Sequence, residues 1–213
     1  MSARSSVVSS IAPAFLLSVS LAGCDDGAGQ PPVSEAPLYG STLTGEFDLV
    51  DSTGAQVTNA DFAGQYQLIY FGYAYCPDVC PFDMTRMMRG YDQFAETHPD
   101  LADEIQPIFI TIDPARDTPD KVGEYASAFS DRLIGLTGTP EQVEAAASSF
   151  FVYYDKRDSE SEADYLMDHS NAGYLVDREG QPLALIPVDE SADAVASELE
   201  KWVRPDNGQG ADG

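Results

Sequence analysis

Hydrophobic positions along the chain fall into short runs whose period changes, and the changes mark the elements. Residues 67–73 (QLIYFGY) are almost continuously apolar and aromatic. That pattern belongs to a strand buried on both faces, so this run reads as the central strand. Over 81–96, Met84, Met87, Met88, Tyr91 and Phe94 recur at three- and four-residue spacings, which puts them on one side of a helix and in the core. Residues 105–112 read as a second buried strand. A helix over 118–129 opens with Thr118-Pro119, a cap residue followed by a first-turn proline. A short strand over 132–136 leads to another helix from Thr139-Pro140 through Ser149, and 150–154 reads as a further extended run. Turn-rich tetrapeptides at 51–54 (DSTG) and 177–180 (DREG) predict hairpins pairing 47–50 with 55–58 and 172–176 with 183–188. Residues 191–203 close the fold as a helix. The alternation predicts an α/β domain: one mixed sheet flanked by helices, with an added N-terminal β-hairpin.

The ends of the chain do not share this periodicity. Arg4 is the only charged side chain before Asp25, and it precedes an apolar segment broken by serines and Pro13. The segment is shorter than the roughly 20 apolar residues of a membrane-spanning helix and has the form of an export signal. It ends in Leu21-Ala22-Gly23-Cys24, which resembles the bacterial lipoprotein signal. On that reading residues 1–23 are removed and Cys24 carries the lipid. Asp25-Asp26 resembles the signal that retains such lipoproteins in the inner membrane. Residues 24–44, rich in Gly, Pro, Ser and acids, are then the lipidated cysteine and a flexible tether. Residues 45–204 form the domain, and 205–213, with nothing to bury, form a disordered tail.

The 213 residues carry 36 Asp and Glu against 11 Lys and Arg, a formal charge of −25, with 43% hydrophobic residues. One core is affordable and a second is not expected at this length. The charge repels phosphate backbones, and no basic cluster offsets it, so nucleic acid is excluded as a partner. The acidity fits equally well the steering of a basic partner and solubility in a saline habitat with few lysines.

With Cys24 assigned to lipid, Cys76 and Cys80 are the only cysteines left in the domain. They follow the central strand at the mouth of the next helix, where a four-residue spacing on the first turn puts both sulfurs on one face. A helix N-terminus favours anions and so favours thiolate, the form that binds metals and attacks disulfides. An inert structural disulfide is the competing reading, although so small a loop gives it little entropic value. Of the two histidines, His98 lies in a polar turn and needs no role. His169 stands just ahead of the second hairpin. Two thiolates and an imidazole form a soft set suited to copper, and the same set suits zinc with a bound water. Residues 113–119 (DPARDTP) read as turn and helix-start architecture, with Arg116 pairing to Asp113 or Asp117.

Taken together, FGYAYCPDVCP at 71–81, DPARDTP at 113–119 and DYLMDHS at 164–170 resemble the Sco/SenC family, in that family's order and over residues 44–203. The resemblance implies a thioredoxin-like fold and a membrane-anchored protein facing the periplasm. It implies copper as cofactor and cargo, with Cys76, Cys80 and His169 as ligands, and it implies thiol–disulfide exchange at Cys76 and Cys80. The function implied is a metallochaperone for the copper centre of cytochrome c oxidase. The partners would be the oxidase's copper-bearing subunit and a periplasmic copper donor or thiol reductant. Residues 113–119 would shape the rim of the site, and Asp168 would orient a hydrogen-bond network rather than bind metal. Two departures stand out: Tyr75 occupies a place where many members carry His or a small polar residue, and lipid replaces a membrane helix. The alternative function is a thiol–disulfide reductase that keeps the oxidase's copper-binding cysteines reduced and does not need His169. A peroxidase is a weaker reading, because such enzymes usually place Thr where this chain has Gly72.

Overall fold

The structure, a computed structural model, describes residues 30–157 and 164–205. The expected N-terminal hairpin is present as β1 (Asp48–Val50) and β2 (Gln56–Thr58). The Asp51 carboxylate accepts the backbone N–H groups of Thr53 and Ala55 and so closes the turn between them. β3 (Tyr66–Gly72) is buried at every residue. It leads into α1 (Val79–Thr97), whose buried face carries Met84, Met87, Met88, Tyr91 and Phe94 as the spacing requires. A single turn, α2 (Pro99–Ala102), precedes β4 (Ile105–Thr111). Then come α3 (Pro119–Ser127), β5 (Ile134–Leu136) and α4 (Pro140–Ser149). A small antiparallel pair, β6 (Tyr154–Lys156) and β7 (Met167–His169), follows. β8 (Gly173–Val176), β9 (Pro182–Ile186) and α5 (Ala192–Trp202) complete the domain.

The main sheet has the order β5-β4-β3-β8-β9, with β3 in the centre. β3, β4 and β5 are parallel, while β8 and β9 run against them, so the sheet is mixed as expected. Parallel pairing of β3 with β4 and antiparallel pairing with β8 bring three connections to one edge: the loop after Gly72, the loop after Thr111 and the segment before Gly173. α1 and α5 pack along each other. They approach so closely at Gly90 that a Cβ there would lie 2.5 Å from Val195 Cβ and 2.6 Å from the Ala192 carbonyl.

Two sequence expectations change. Residues 150–154 are not one extended strand. Phe151 takes φ 54°, Val152 N–H donates to Ala147 O and Phe151 N–H to Ser148 O, which is the Schellman closure of α4. Glycine usually fills that left-handed position. Here Phe150 and Val152, flanking it, are the buried anchors, and their apolar character reads as a strand when only the sequence is seen. The second change concerns the expected tether. Residues 1–29 lie outside the described residues, but residues 30–44 pack on the domain: Ala36 and Leu43 are buried, and Leu38 N–H donates to Leu183 O on the outer strand β9. An edge strand leaves backbone acceptors unpaired, and this segment covers part of that edge. The tail expectation falls on residues 206–213, also outside the described residues.

Among the described residues no helix is long and apolar enough to cross a membrane. Left-handed backbone at a non-glycine residue costs about 1–2 kcal/mol, and Phe151 is 68% exposed, so little burial is lost with its ring. Phe151→Gly should therefore stabilise the fold by about 1 kcal/mol, the larger backbone entropy of unfolded glycine offsetting part of the gain. Urea unfolding of the two proteins checks this.

Candidate metal and thiol site

The site is built at the edge where β3, β4 and β8 deliver their connections. β3 ends at Gly72, and the chain turns through Tyr73, Ala74 and Tyr75 to Cys76, whose N–H donates to Tyr73 O. α1 then begins at Val79, so Cys80 lies in its first turn while Cys76 precedes the helix. The sequence places both cysteines on the first turn. Instead the Pro77-Asp78 step holds Cys76 back, with its sulfur accepting the Cys80 N–H at 3.4 Å. The capping geometry that sequence assigns to a side-chain oxygen is supplied here by a sulfur, at the end of the helix that favours a thiolate.

Both cysteines are free thiols and both are buried, Cys80 completely. His169 reaches them from the last residue of β7, a strand with no local signal in the sequence. Its Nε2 lies 3.3 Å from Cys80 Sγ, and its Nδ1 lies 2.8 Å from the Ser170 carbonyl. A carbonyl can only accept, so Nδ1 carries a proton and the ring turns Nε2 toward the sulfurs. Tyr70 and Tyr73 pack edge-on against the imidazole at centroid distances of 6.3 and 6.1 Å.

The electrostatics of the pair are asymmetric. Cys76 is pulled well below the ordinary thiol value, first by its hydrogen bond with Cys80, against the opposing effect of burial, and further by His169 and the N–H groups of Cys80 and Asp78. Cys80 is pushed up by the same shared proton and by burial. The pair therefore titrates as a unit, releasing its first proton readily and holding the second. Among the described residues no three His, Cys, Asp or Glu side chains stand as a finished cage for a metal ion.

Residues 113–119 hold this edge together. Asp117, fully buried, accepts the Ala74 N–H at 2.8 Å and the Thr111 hydroxyl at 2.6 Å, which ties the cysteine loop to the end of β4. Asp113 accepts Arg116 Nε at 2.6 Å, the pairing expected from sequence, and also the Tyr165 hydroxyl at 2.5 Å. Arg116 stacks 3.6 Å above the Tyr165 ring and donates to its carbonyl, so the motif clamps the segment that leads to His169. Asp168 pairs with Arg157 across an exposed rim of the same cleft. A cleft of about 390 Å³ opens beside these groups, lined by Tyr73, Cys76, Asp78, Arg157 and His169.

Gly72, Tyr70 and Asp83 escaped the sequence reading. A Cβ at Gly72 would come 2.8 Å from the Tyr70 ring and 3.1 Å from Cys80 Sγ, so the missing side chain makes the space that the thiol occupies. A glycine ending an otherwise bulky strand is the signal that could have found it. His98, given no role, stacks on Phe94 and contacts Thr97 at the end of α1. Cys24 lies outside the described residues.

A five-stranded mixed sheet with a cysteine pair at the mouth of the helix after its central strand defines a thioredoxin-like domain, here with an imidazole added to the two thiols. The SCO1/SenC family model matches residues 35–204, and the chain belongs to that family. It is 38% identical over 165 residues to the mitochondrial SCO1 homologue of Homo sapiens, covering 76% of this chain and 54% of that protein. It is 45% identical over 135 residues to SenC of Rhodobacter capsulatus, covering 63% and 59%. The chain thus spans little more than half the length of these relatives. Among solved structures, Arabidopsis thaliana ScoI with copper bound superimposes with a TM-score of 0.69 at 34% identity, covering 75% of this chain and 97% of that one. Bradyrhizobium japonicum ScoI with copper bound gives 0.63 at 34% identity, covering 76% and 99%.

The shared proton sets a pH dependence. A lowered pKa moves the rise in thiolate to lower pH, so alkylation of Cys76 should remain fast well below the ordinary thiol value of about 8.5. Cys80→Ala removes the largest stabilising contact and should move the midpoint of the alkylation profile back toward about 8.5. Mass-resolved iodoacetamide labelling across pH measures both midpoints, and coincident profiles would contradict the shared-proton account.

Proposed function

We propose that this chain is a metallochaperone that carries one copper ion as cargo on Cys76, Cys80 and His169 and delivers it to the copper-bearing subunit of cytochrome c oxidase during assembly. The observation that supports this most directly is the meeting of two thiols and an imidazole at one cleft, which Cys76 and His169 line and behind which Cys80 is buried. Two sulfurs and one nitrogen are a soft donor set, which favours copper over harder ions. The copper-bound relatives from Arabidopsis thaliana and Bradyrhizobium japonicum carry the same fold at one-third identity. Binding replaces the hydrogen bonds among the three groups: the sulfurs lose their protons, and Nε2 gives its lone pair to the ion. Cys76 already favours thiolate, so the cost falls mainly on the Cys80 proton.

Delivery places the site at a membrane surface facing the periplasm, with Cys24 lipidated and the inner membrane as its location. Exposed Val79 and Leu166, which line the cleft, give an incoming protein apolar surface next to the ligands, and Tyr75 is exposed one residue before Cys76. A periplasmic copper donor or a thiol reductant is required upstream, because a disulfide between Cys76 and Cys80 leaves no thiolate to bind metal. The same requirement supports a second reading, a thiol–disulfide reductase for the oxidase's cysteines. The asymmetry between an activated Cys76 and a fully buried Cys80 favours that reading specifically, since exchange begins at the thiolate and finishes at its protected neighbour.

An anaerobic copper(I) titration of the reduced full chain, beside His169→Ala, separates the two. The chaperone reading expects one equivalent bound with thiolate-to-metal absorption. It also expects affinity reduced at least ~10-fold in the variant, because loss of a ligand should cost no less than loss of a ligand's hydrogen-bond partner. Binding that is absent, or indifferent to His169, would leave the reductase as the working function.

A further inference from the structure

Asp83 is a fully buried carboxylate that neither binding nor thiol exchange uses. It sits on α1 one turn after Cys80, facing the sheet. Its Oδ2 accepts the Tyr70 hydroxyl at 3.0 Å, and its Oδ1 accepts Arg86 at 3.1 Å, where the arginine side chain is 38% exposed. Keeping a carboxylate out of water costs several kcal/mol unless its partners compensate, and an apolar residue at such a place is often as stable or more so. A buried charge retained on the core face of a helix therefore calls for a use.

Its partner shows what that use is. Tyr70 is fully buried on β3, and it borders both members of the closest ligand pair. Its ring meets the His169 imidazole edge-on at 83°, and ring and Cys80 Sγ close on the same spot, 2.8 and 3.1 Å from where a Cβ on Gly72 would stand. Space for the ring and the sulfur together exists only because Gly72 lacks a Cβ. The Asp83 carboxylate fixes the Tyr70 hydroxyl, and with it the ring, along one direction.

We propose that Asp83, acting through Tyr70, is a positioning residue for the Cys80–His169 pair, holding the imidazole face and the thiol so that Nε2 and Sγ converge on one point. This rests on the copper-binding reading for its metal readout, but its geometric content does not. Ligand orientation by hydrogen-bonded neighbours is worth about 10–100-fold in metal affinity where it has been removed. That sets the expected scale.

The test uses the reduced full chain and four proteins: the parent, Tyr70→Phe, Asp83→Leu and Asp83→Asn. The first readout is the nitrogen chemical shifts of His169 in the metal-free protein, which report tautomer and ring environment. The second is copper(I) affinity by competition. Tyr70→Phe keeps the ring but cuts its tie to Asp83. It should spread or shift the His169 nitrogen signals and weaken copper(I) about 10-fold, with the thermal midpoint recorded alongside. Asp83→Leu should do the same. Asp83→Asn retains an oxygen that accepts the Tyr70 hydroxyl and should stay within about twofold of the parent, a rescue that a purely charge-based role would not give, while Tyr70→Phe, which keeps the ring, tests against a packing role. His169 signals and affinity unchanged in Tyr70→Phe would overturn the proposal, as would Asp83→Asn failing as badly as Asp83→Leu. If Asp83→Leu does not fold, Tyr70→Phe and Asp83→Asn still decide. A parent that binds no copper(I) would remove the chaperone reading and leave the nitrogen shifts to judge the positioning role by themselves.

Discussion

β3 spends both of its edges and both of its faces, and the site follows from that. Its backbone pairs with β4 in register from Tyr66↔Ile105 to Gly72↔Thr111 and with β8 from Gln67↔Val176 to Tyr70↔Gly173. A one-residue slip in either ladder would turn Tyr70 out of the site and send its neighbours to the other face. It would also move the Asp117 anchor away from Ala74, or the His169 segment away from Cys80. Seven consecutive buried residues make such slips expensive, because each shift exposes apolar surface worth about 25 cal/mol per Å². Cys76 sits on a loop, Cys80 at a helix start and His169 at the end of a short strand, yet all three inherit their spacing from the buried central strand.

Polar groups then finish what the sheet begins. Asp117 and Asp83 are both wholly buried, and each is tied to a group that borders a cysteine: Ala74 on one side, Tyr70 on the other. Neither is a good investment for stability alone, since a desolvated carboxylate needs its full set of partners to break even. Their placement is one-sided. They lie at the edge that carries Cys76, Cys80 and His169, while the opposite end of the sheet is closed by the Tyr66, Arg178 and Glu104 cluster nearer the surface.

Most of the elements were legible in the sequence because period and punctuation agreed. The methionine stripe of α1, the Thr-Pro starts of α3 and α4 and the two turn tetrapeptides are local signals, and locality is what a sequence displays. Cys76, Cys80 and His169 were legible as residue types with few competitors. What failed was non-local or sterically particular. The apolar run at 150–154 hid a left-handed Phe151, since buried flanking residues look alike in a helix cap and in a strand. β7 went unseen because its three residues owe their extended form to pairing with β6, residue for residue from Tyr154↔His169 to Lys156↔Met167. Residues 30–44 have tether composition, and the burial of Ala36 and Leu43 comes with non-local contacts, Leu38 N–H to Leu183 O on β9 and Thr44 N–H to Ser149 O at the end of α4. Tyr70 and Asp83 read as ordinary strand and helix positions until their side chains were seen to meet.

The two halves of the site are held with unequal firmness, and that bears on transfer. Cys80 belongs to the first turn of a nineteen-residue helix packed on the central strand and along α5. His169 belongs to a two-stranded pair of three residues each, of a kind that is at best marginally stable by itself. Local ties restrain it, among them the Ser170 N–H to Tyr153 O bond, the Met167 N–H to the Tyr73 hydroxyl, the Arg157–Asp168 pair, the clamp of Arg116 on Tyr165, and the edges of Tyr70 and Tyr73. Each is a contact that can be released without unfolding the sheet. A chaperone that must surrender its cargo gains from such a division, because the first ligand to leave should be the one whose departure disturbs the least structure. In the proposed transfer His169 leaves first, an incoming ligand takes its place, and the ion then moves off the thiolates, which stay fixed on the helix and strand.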